Sequence, residues 1–173
     1  MSERLQSPEF DAPVRPANAA EPQRQHILIV DDHAPSRRLC AGYCDLFDHT
    51  SETVGGGGEA IEALRRARFH AVVMNVHMAE AGALDVLNAI RALPSPVNDT
   101  PVIGLTAVGR GEEAQRWLGA GFSGVLAKPI TAARLYTALC MVTEGVADVA
   151  RSWRQRCRRG FARLGRIVAT VAF

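Results

Sequence analysis

The chain has no apolar run long enough to cross a membrane and no paired cysteine motif. Its first 25 residues are polar, rich in Pro and Ala and without an apolar h-region, so we expect a disordered leader rather than a signal peptide at residues 1–25. Its four cysteines form neither a CxxC pair nor a zinc-ligand spacing with histidine; they are Cys40, Cys44, Cys140 and Cys157. These absences predict a cytoplasmic protein with reduced, core-packed thiols, no metal site and no membrane span.

Acidic residues are missing from an arginine-rich stretch near the end of the chain. Between Arg151 and Arg166 lie seven of the chain's twenty Lys and Arg residues, without a single Asp or Glu. Residues 1–150 carry thirteen basic and eighteen acidic groups, so an acidic body precedes a strongly basic tail. This asymmetry indicates that the tail binds an anion.

Short apolar runs alternate with helical stretches from His26 onward. Strands are predicted at 26–30, 51–54, 71–74, 101–105 and 124–127, and helices at 36–47, 60–68, 84–93, 112–120 and 131–143. Strands and helices that alternate at this spacing imply βαβ units around a parallel sheet. We therefore predict an α/β domain at residues 26–145, with a five-stranded doubly wound parallel sheet. An arginine-rich extension follows it at residues 146–173.

Polar side chains follow four of the predicted strands. Asp31 and Asp32 follow the first strand, Asn75 the third, Thr106 the fourth and Lys128 the fifth. Because the carboxyl ends of parallel strands meet at one edge of a sheet, these side chains should lie close together, at the edge where ligands bind.

The segments around these positions carry a family resemblance. They read Ile-Val-Asp-Asp, Val-Met-Asn-Val-His-Met, Ile-Gly-Leu-Thr-Ala and Ala-Lys-Pro, and in this order they resemble the response-regulator receiver family over roughly residues 25–145. The resemblance implies a CheY-like, flavodoxin-like fold. It also implies a site in which an acidic pair holds Mg²⁺, a third-strand aspartate accepts a phosphoryl group, and a Thr or Ser and a Lys bind its oxygens. Asp31 and Asp32 match the acidic pair, Thr106 the hydroxyl, and Lys128 the lysine before a cis-prone proline.

Asn75 stands where that family has its phosphoacceptor aspartate. A carboxamide oxygen is a poor nucleophile and offers no charge to a hard cation. The switch differs elsewhere too: Ala79 replaces the usual proline, Gly82-Ala83 replaces Asp-Gly, and Val125 replaces a Tyr or Phe. We therefore predict a non-enzymatic pseudo-receiver that is independent of phosphorylation.

The remaining charged residues of this degenerate site allow two interpretations. In the favoured one, Asp31, Asp32 and Lys128 form an ion-pair network in which the lysine neutralises the acids without a metal. In the other, the acidic pair keeps residual Mg²⁺ binding.

Aromatic residues lie among the arginines of the tail. Trp153 and Phe161 are interleaved with them, and an RxxxR spacing, as in the arginine motif of PilZ-type cyclic di-GMP receptors, occurs at Arg154–Arg158 and Arg159–Arg163. Arginine binds phosphate bidentately and pairs with guanine O6 and N7, while Trp or another arginine stacks on the base. The candidate ligand contacts are Arg151, Trp153, Arg154, Arg156, Arg158, Arg159, Arg163 and Arg166.

The combination of a CheY-like body, a missing phosphoacceptor and an arginine-rich tail resembles the Cle family, the CheY-like cyclic di-GMP effectors. The resemblance implies that the tail binds cyclic di-GMP and that the loaded protein docks on a FliM-like flagellar motor switch protein. It further implies recruitment to the motor and a role in motility and surface attachment. In receiver relatives the docking surface is the fourth helix, fifth strand and fifth helix, here about Glu112 to Met141.

Other ligands compete for the same tail. Arginine-rich segments also bind nucleic acid through its phosphates, although we expect no DNA partner here. Apolar residues at helical spacing form one face, which consists of Phe161, Leu164, Ile167, Val168 and Val171. That face could pack on the receiver, lie on an anionic membrane or bind a protein partner.

Overall fold

All five strands predicted from the apolar runs form, and they lie in one parallel sheet. The computed structural model describes residues 24–79, 82–107 and 111–143. The strands are β1 (His26–Val30), β2 (Thr50–Val54), β3 (Ala71–Asn75), β4 (Val102–Thr106) and β5 (Gly124–Ala127). Their order in the sheet is β2-β1-β3-β4-β5, which confirms the doubly wound α/β class.

Five α-helices alternate with the strands. They are α1 (Ala34–Leu46), α2 (Gly57–Arg66), α3 (Ala83–Arg91), α4 (Glu112–Gly119) and α5 (Ala132–Thr143), and a short 3-10 helix lies at Val97–Asp99. None of these described helices is long and apolar enough to span a membrane. Most of the predicted leader, Cys157 and the whole arginine-rich tail lie outside the described residues, so the domain limits at 26 and 145 stay predictions.

Two helices begin at least two residues earlier than the sequence predicted. The first begins at Ala34 because Pro35 lies in its first turn, where a missing N–H costs nothing. The second begins at Gly57, inside the glycine run, because the carboxylate of Glu59 accepts a hydrogen bond from the Gly55 N–H at 2.7 Å. This contact holds the helix entry and offsets the low helix propensity of glycine.

The core lies on both faces of the sheet. Along β1, Ile27 and Ile29 pack with α1 and α5, whereas Leu28 and Val30 pack with α2 and α3. This alternation follows from the two-residue period of a strand. All residues of β3 and β4 are buried, as expected for strands covered on both faces.

The edge of the sheet at β5 is more open than its centre. All four residues of β5 are only half-buried, and α4 contributes no buried residue. On the neighbouring β4, Gly104 lets the side chains of Val76 and Phe122 pack directly against the strand. A Cβ at this position would lie 3.0 Å from Val76 Cγ1 and 3.1 Å from Phe122 Cδ1.

Candidate functional site

The side chain of Asn75 joins the two acids that follow β1. Its amide nitrogen donates hydrogen bonds to Asp32 Oδ1 at 3.1 Å and to Asp31 Oδ1 at 3.4 Å. The same nitrogen lies 3.1 Å from the backbone oxygen of His77, so one of its two N–H groups is shared between two acceptors, and the amide oxygen accepts from the His77 N–H at 3.3 Å. A carboxylate at this position has no N–H to donate, so the bridge depends on the carboxamide.

Asp31 is buried and paired. Its side chain is 1% exposed, and its Oδ2 lies 3.1 Å from Lys128 Nζ, whose side chain is 31% exposed. The His33 N–H donates to Asp31 Oδ1 at 2.9 Å. Burial of a carboxylate is costly unless it is paired and hydrogen-bonded, and these contacts supply both kinds of partner to Asp31. The Lys128–Pro129 peptide bond is cis, as the sequence predicted.

Asp32 is exposed and accepts a second hydrogen bond from the chain after β3. The Ala79 N–H donates to its Oδ2 at 3.2 Å. Desolvation raises the pKa of Asp32, but the hydrogen bonds from the Ala79 backbone and the Asn75 side chain outweigh it, so its pKa lies below the ordinary value of 3.8. Asp32 is therefore held as a carboxylate at neutral pH by Asn75 and Ala79, whereas Asp31 is paired with Lys128.

Thr106 is buried at the end of β4, and its hydroxyl donates to a residue that sequence reasoning missed. The acceptor is Glu113 Oε1 on α4, at 2.9 Å. Glu113 Oε1 also lies 3.4 Å from Trp117 Nε1 and 3.5 Å from His77 Nε2. The hydrogen bond from Thr106 is the main cause that lowers the pKa of Glu113 below its ordinary value of 4.5, with smaller contributions from Trp117 and His77. Glu113 and Trp117 are four residues apart, about one helical turn, and this spacing was the only sequence signal for the contacts around Glu113.

The strand ends therefore bring together four of the five predicted residues: Asp31, Asp32, Asn75 and Lys128. The ion pair joins Lys128 to Asp31, while Asp32 is held by Asn75 and Ala79 instead. Thr106 joins this group through its backbone, because its carbonyl accepts from the Lys128 N–H at 2.7 Å. The eight predicted ligand contacts of the tail lie outside the described residues.

The model of the response regulator receiver domain family matches residues 27–140 of this chain. The chain belongs to the response regulator receiver family. Among curated proteins, 120 of its residues are 32% identical to sensor histidine kinase RcsC of Escherichia coli, a match that covers 69% of this chain and 12% of that protein. Transcription factor SKN7 of Saccharomyces cerevisiae is 29% identical over 114 residues, 66% of this chain and 18% of that protein. The chain thus spans less than a fifth of the length of these relatives.

Solved structures share the fold. The chemotaxis response regulator CheY4 of Vibrio cholerae is 26% identical with a TM-score of 0.63, over 69% of this chain and 99% of that chain. The receiver domain of sensor histidine kinase PA1611 of Pseudomonas aeruginosa, solved with a magnesium ion in its active site cleft, is 24% identical with a TM-score of 0.63, over 70% of this chain and 99% of that chain. Receiver domains are generally signalling modules without catalytic activity of their own.

The donor set at the strand ends fits a magnesium ion poorly. Mg²⁺ prefers charged oxygens in octahedral geometry, whereas here the third-strand position directs an amide nitrogen at both carboxylates. The amide oxygen of Asn75, the atom of this side chain that could bind a cation, instead accepts from the His77 N–H. Among the described residues, no group of three or more His, Cys, Asp or Glu side chains is arranged to hold a metal.

A second feature lies beside the open edge of the sheet. An apolar groove of about 550 Å³ runs between α4, β5 and α5, and we call it the α4–β5–α5 groove. It is lined by Leu118 of α4, by Val125 and Leu126 of β5, and by Ala138 and Met141 of α5. Val125, one of the lining residues, stands at the position where the family resemblance implies a Tyr or Phe.

Proposed function

We propose that this receiver is a non-enzymatic, phosphorylation-independent effector that binds cyclic di-GMP through its arginine-rich tail and then docks on a flagellar motor switch protein. The observation that carries the proposal is the Asn75 amide, which bridges Asp31 and Asp32. In a receiver that is phosphorylated, this position supplies the nucleophile. Here it supplies a hydrogen-bond donor that stabilises the acidic pair without a phosphoryl group or a cation.

The strand-end geometry supports independence from phosphorylation in a second way. The Thr106 hydroxyl, whose counterpart in the family binds a phosphoryl oxygen, donates to Glu113 instead. Lys128, the other phosphoryl ligand of the family, is paired with Asp31. The input to this protein is therefore proposed to lie elsewhere in the chain.

The tail is the candidate for that input because of its charge and composition. It carries seven arginines between Arg151 and Arg166 with no acid, and Trp153 offers a flat surface on which a guanine can stack. Cyclic di-GMP combines two phosphates with two guanines, and arginine recognises both groups. The resemblance to the Cle family favours this ligand over nucleic acid or an anionic membrane.

The partner is proposed from the same resemblance. The family's docking surface corresponds to α4, β5 and α5, and here that face carries the exposed side chains of Leu118 and Met141 around the groove. An exposed apolar surface of this kind is typical of a protein interaction site. We propose a FliM-like switch protein as the partner, which places the loaded protein in the cytoplasm at the flagellar motor.

Calorimetric titration of cyclic di-GMP into the full chain tests the ligand, with cyclic di-AMP as the base-specific control. We expect saturable binding of the guanine dinucleotide alone. A variant with Arg154, Arg156, Arg158 and Arg159 changed to Ala should lose it. The matched control changes four exposed arginines of the body to Ala, namely Arg38, Arg65, Arg68 and Arg116. It removes the same charge and should leave binding unchanged.

Full affinity in the tail variant would overturn the assignment. Equal affinity for both dinucleotides, or affinity for any polyanion that falls steeply with salt, would assign the tail to nucleic acid. Binding to anionic vesicles without dinucleotide selectivity would assign it to a membrane surface.

A further inference from the structure

We propose that the apolar face of the tail, formed by Phe161, Leu164, Ile167, Val168 and Val171, packs into the α4–β5–α5 groove of the same molecule. We call these five residues the tail strip. The inference concerns the protein without any ligand, so it stands or falls separately from the proposed binding of cyclic di-GMP.

The groove is an apolar surface that no described residue covers. Leu118 is 41% exposed on α4 and Met141 is 51% exposed on α5, the largest exposure among the large hydrophobic side chains of the described residues. Between them β5 is an edge strand with half-buried residues. Apolar surface exposed in a continuous patch favours a covering partner, because removing it from water is favourable in proportion to its area.

The tail strip has the chemistry to fill this groove. Among the described residues that line it, Arg134 is the only charged one, so an apolar occupant leaves few polar groups unpaired. With 3.6 residues per turn the five strip residues lie within a single arc of a helix, about 120° wide; Arg166 lies on the opposite side, and Arg163 lies about 40° beyond one edge of the arc. The strip can therefore pack inward while both arginines stay in solvent.

The position and length of the tail allow the contact within one chain. The structure describes α5 to its last residue, Thr143, and α5 itself forms one wall of the groove. Residues 144–160 separate it from Phe161, a linker that spans up to about 55 Å when extended. The helix α5 is only about 18 Å long, so the linker reaches back along its full length. A helical strip over residues 161–171 is about 16 Å long, which matches that wall.

The charges of the two parts favour the same arrangement. The tail carries seven positive charges, and the body has five more acidic than basic groups. Their attraction raises the local concentration of the tail near the body. Because the groove is apolar, this attraction supplies proximity, and the strip supplies the specific contact.

Paramagnetic relaxation in the full chain tests the contact. A nitroxide is attached at Ala169→Cys, beside the strip, in a Cys157→Ser background whose remaining cysteines, Cys40, Cys44 and Cys140, are buried. We expect loss of amide signal at Leu118, Val125 and Met141, with little change at Leu84 on α3. A sample of spin-labelled chains mixed with isotope-labelled chains should show no such loss, because the contact is intramolecular.

Two substitutions separate the contact from a folding effect. Ile167→Glu in the strip and Met141→Glu in the groove should each restore the lost amide signals. Leu84→Glu, the matched control, changes an exposed apolar residue outside the groove and should restore nothing. The amide spectrum of each diamagnetic variant verifies its fold.

Several outcomes would overturn the inference. One is full intensity of the groove amides in the labelled chain, and another is an equal loss of intensity in the Ile167→Glu variant. Signal loss in the mixed sample would assign the strip to a second copy of the chain. Signal loss that requires anionic vesicles would assign the strip to a membrane surface.

Discussion

Replacing Asn75 with aspartate tests whether the amide holds the acidic pair together. The substitution keeps the size of the side chain but removes the N–H donor that lies 3.1 Å from Asp32 Oδ1 and 3.4 Å from Asp31 Oδ1. It also places a third negative charge between two others. We expect the folded protein to lose stability at neutral pH when no divalent cation is present.

The magnitude follows from the distances and the exposure of each acid. Coulomb's law gives about 1 kcal/mol for repulsion from Asp32 in water, and about 5 kcal/mol for repulsion from Asp31 at an effective dielectric constant of about 20. The solvent value applies to Asp32, which is exposed, and Lys128 at 3.1 Å offsets much of the repulsion from Asp31. Adding about 1 kcal/mol for the lost hydrogen bonds, we expect Asn75→Asp to lower the free energy of unfolding by about 2–4 kcal/mol.

Magnesium should reverse this loss in the variant only. Three carboxylates form a charged oxygen site for Mg²⁺, and a ligand at a hundredfold excess over its dissociation constant stabilises by about 2.7 kcal/mol. The assay is urea denaturation with and without MgCl₂ at matched ionic strength. Asn88→Asp, on the exposed side of α3, is the control for an added charge.

Two results would refute the reasoning. One is an Asn75→Asp variant as stable as the parent protein without Mg²⁺, which would mean that the amide bridge contributes nothing. The other is a parent protein that gains as much stability from Mg²⁺ as the variant, which would mean that two carboxylates and an amide already hold the ion.

Three further predictions concern the rest of the fold. The pKa of Glu113 is lowered by folding, so its contribution to stability is present above about pH 5 and is lost as the pH falls below 4.5. Glu113→Gln should therefore have a lower free energy of unfolding than the parent protein at neutral pH, and this difference should shrink in acid. Burial raises the pKa of Cys40 to about 11 and that of Cys44 to about 12, so neither thiol should react with a disulfide reagent at pH 8 until the protein unfolds. Gly104→Ala should destabilise by about 1–3 kcal/mol in denaturant melts, whereas Gly58→Ala on open helix surface should stabilise by about 0.5–1 kcal/mol.

Each of these predictions has its own control. Glu112→Gln, at the exposed neighbouring position, is the control for the Glu113 substitution. If the free energy of unfolding of Glu113→Gln fell in acid as much as that of the parent protein, the role of the Thr106 hydrogen bond would be contradicted. For the thiols, a Cys157→Ser background removes the tail cysteine. If the folded Cys157→Ser variant reacted with the disulfide reagent at the rate of a free thiol, the burial of Cys40 and Cys44 would be contradicted. Equal stability of the two glycine variants would show that the contacts around residue 104 relax without cost.

The parallel sheet and the meeting of the site residues were predictable from sequence. The apolar runs that end at Val30 and Asn75 predict buried strands, and the carboxyl ends of neighbouring parallel strands lie at the same edge of the sheet. Asp31, Asn75 and Lys128 therefore had to lie close together, although each comes from a different strand. The family motifs gave the same set independently.

The role of Glu113 and the start of α2 were not predictable in the same way. Glu113 reaches Thr106 across a loop, so the contact depends on where α4 lies and on the rotamer of a long side chain. The entry of α2 into the glycine run depends on the single hydrogen bond between Gly55 and Glu59. Arg91 is a third example: its guanidinium donates to the backbone oxygens of Asn98 and Thr100 at 2.8 Å each. Such contacts are set by tertiary packing rather than by local propensity.

The contact between Thr106 and Glu113 bears on where a signal can enter this receiver. The hydroxyl at the end of β4 donates to the first turn of α4, a helix without a buried residue, and Trp117 on that helix packs against Phe122 at 5.5 Å between ring centroids. These contacts already hold α4 in place without a phosphoryl group. An event at the strand ends would first have to break them, whereas the arginine-rich tail follows directly from α5, which forms one wall of the α4–β5–α5 groove. The proposed ligand of the tail would therefore act on the proposed docking face from the side of α5, and it would need no change at Asp31, Asn75 or Lys128 to do so.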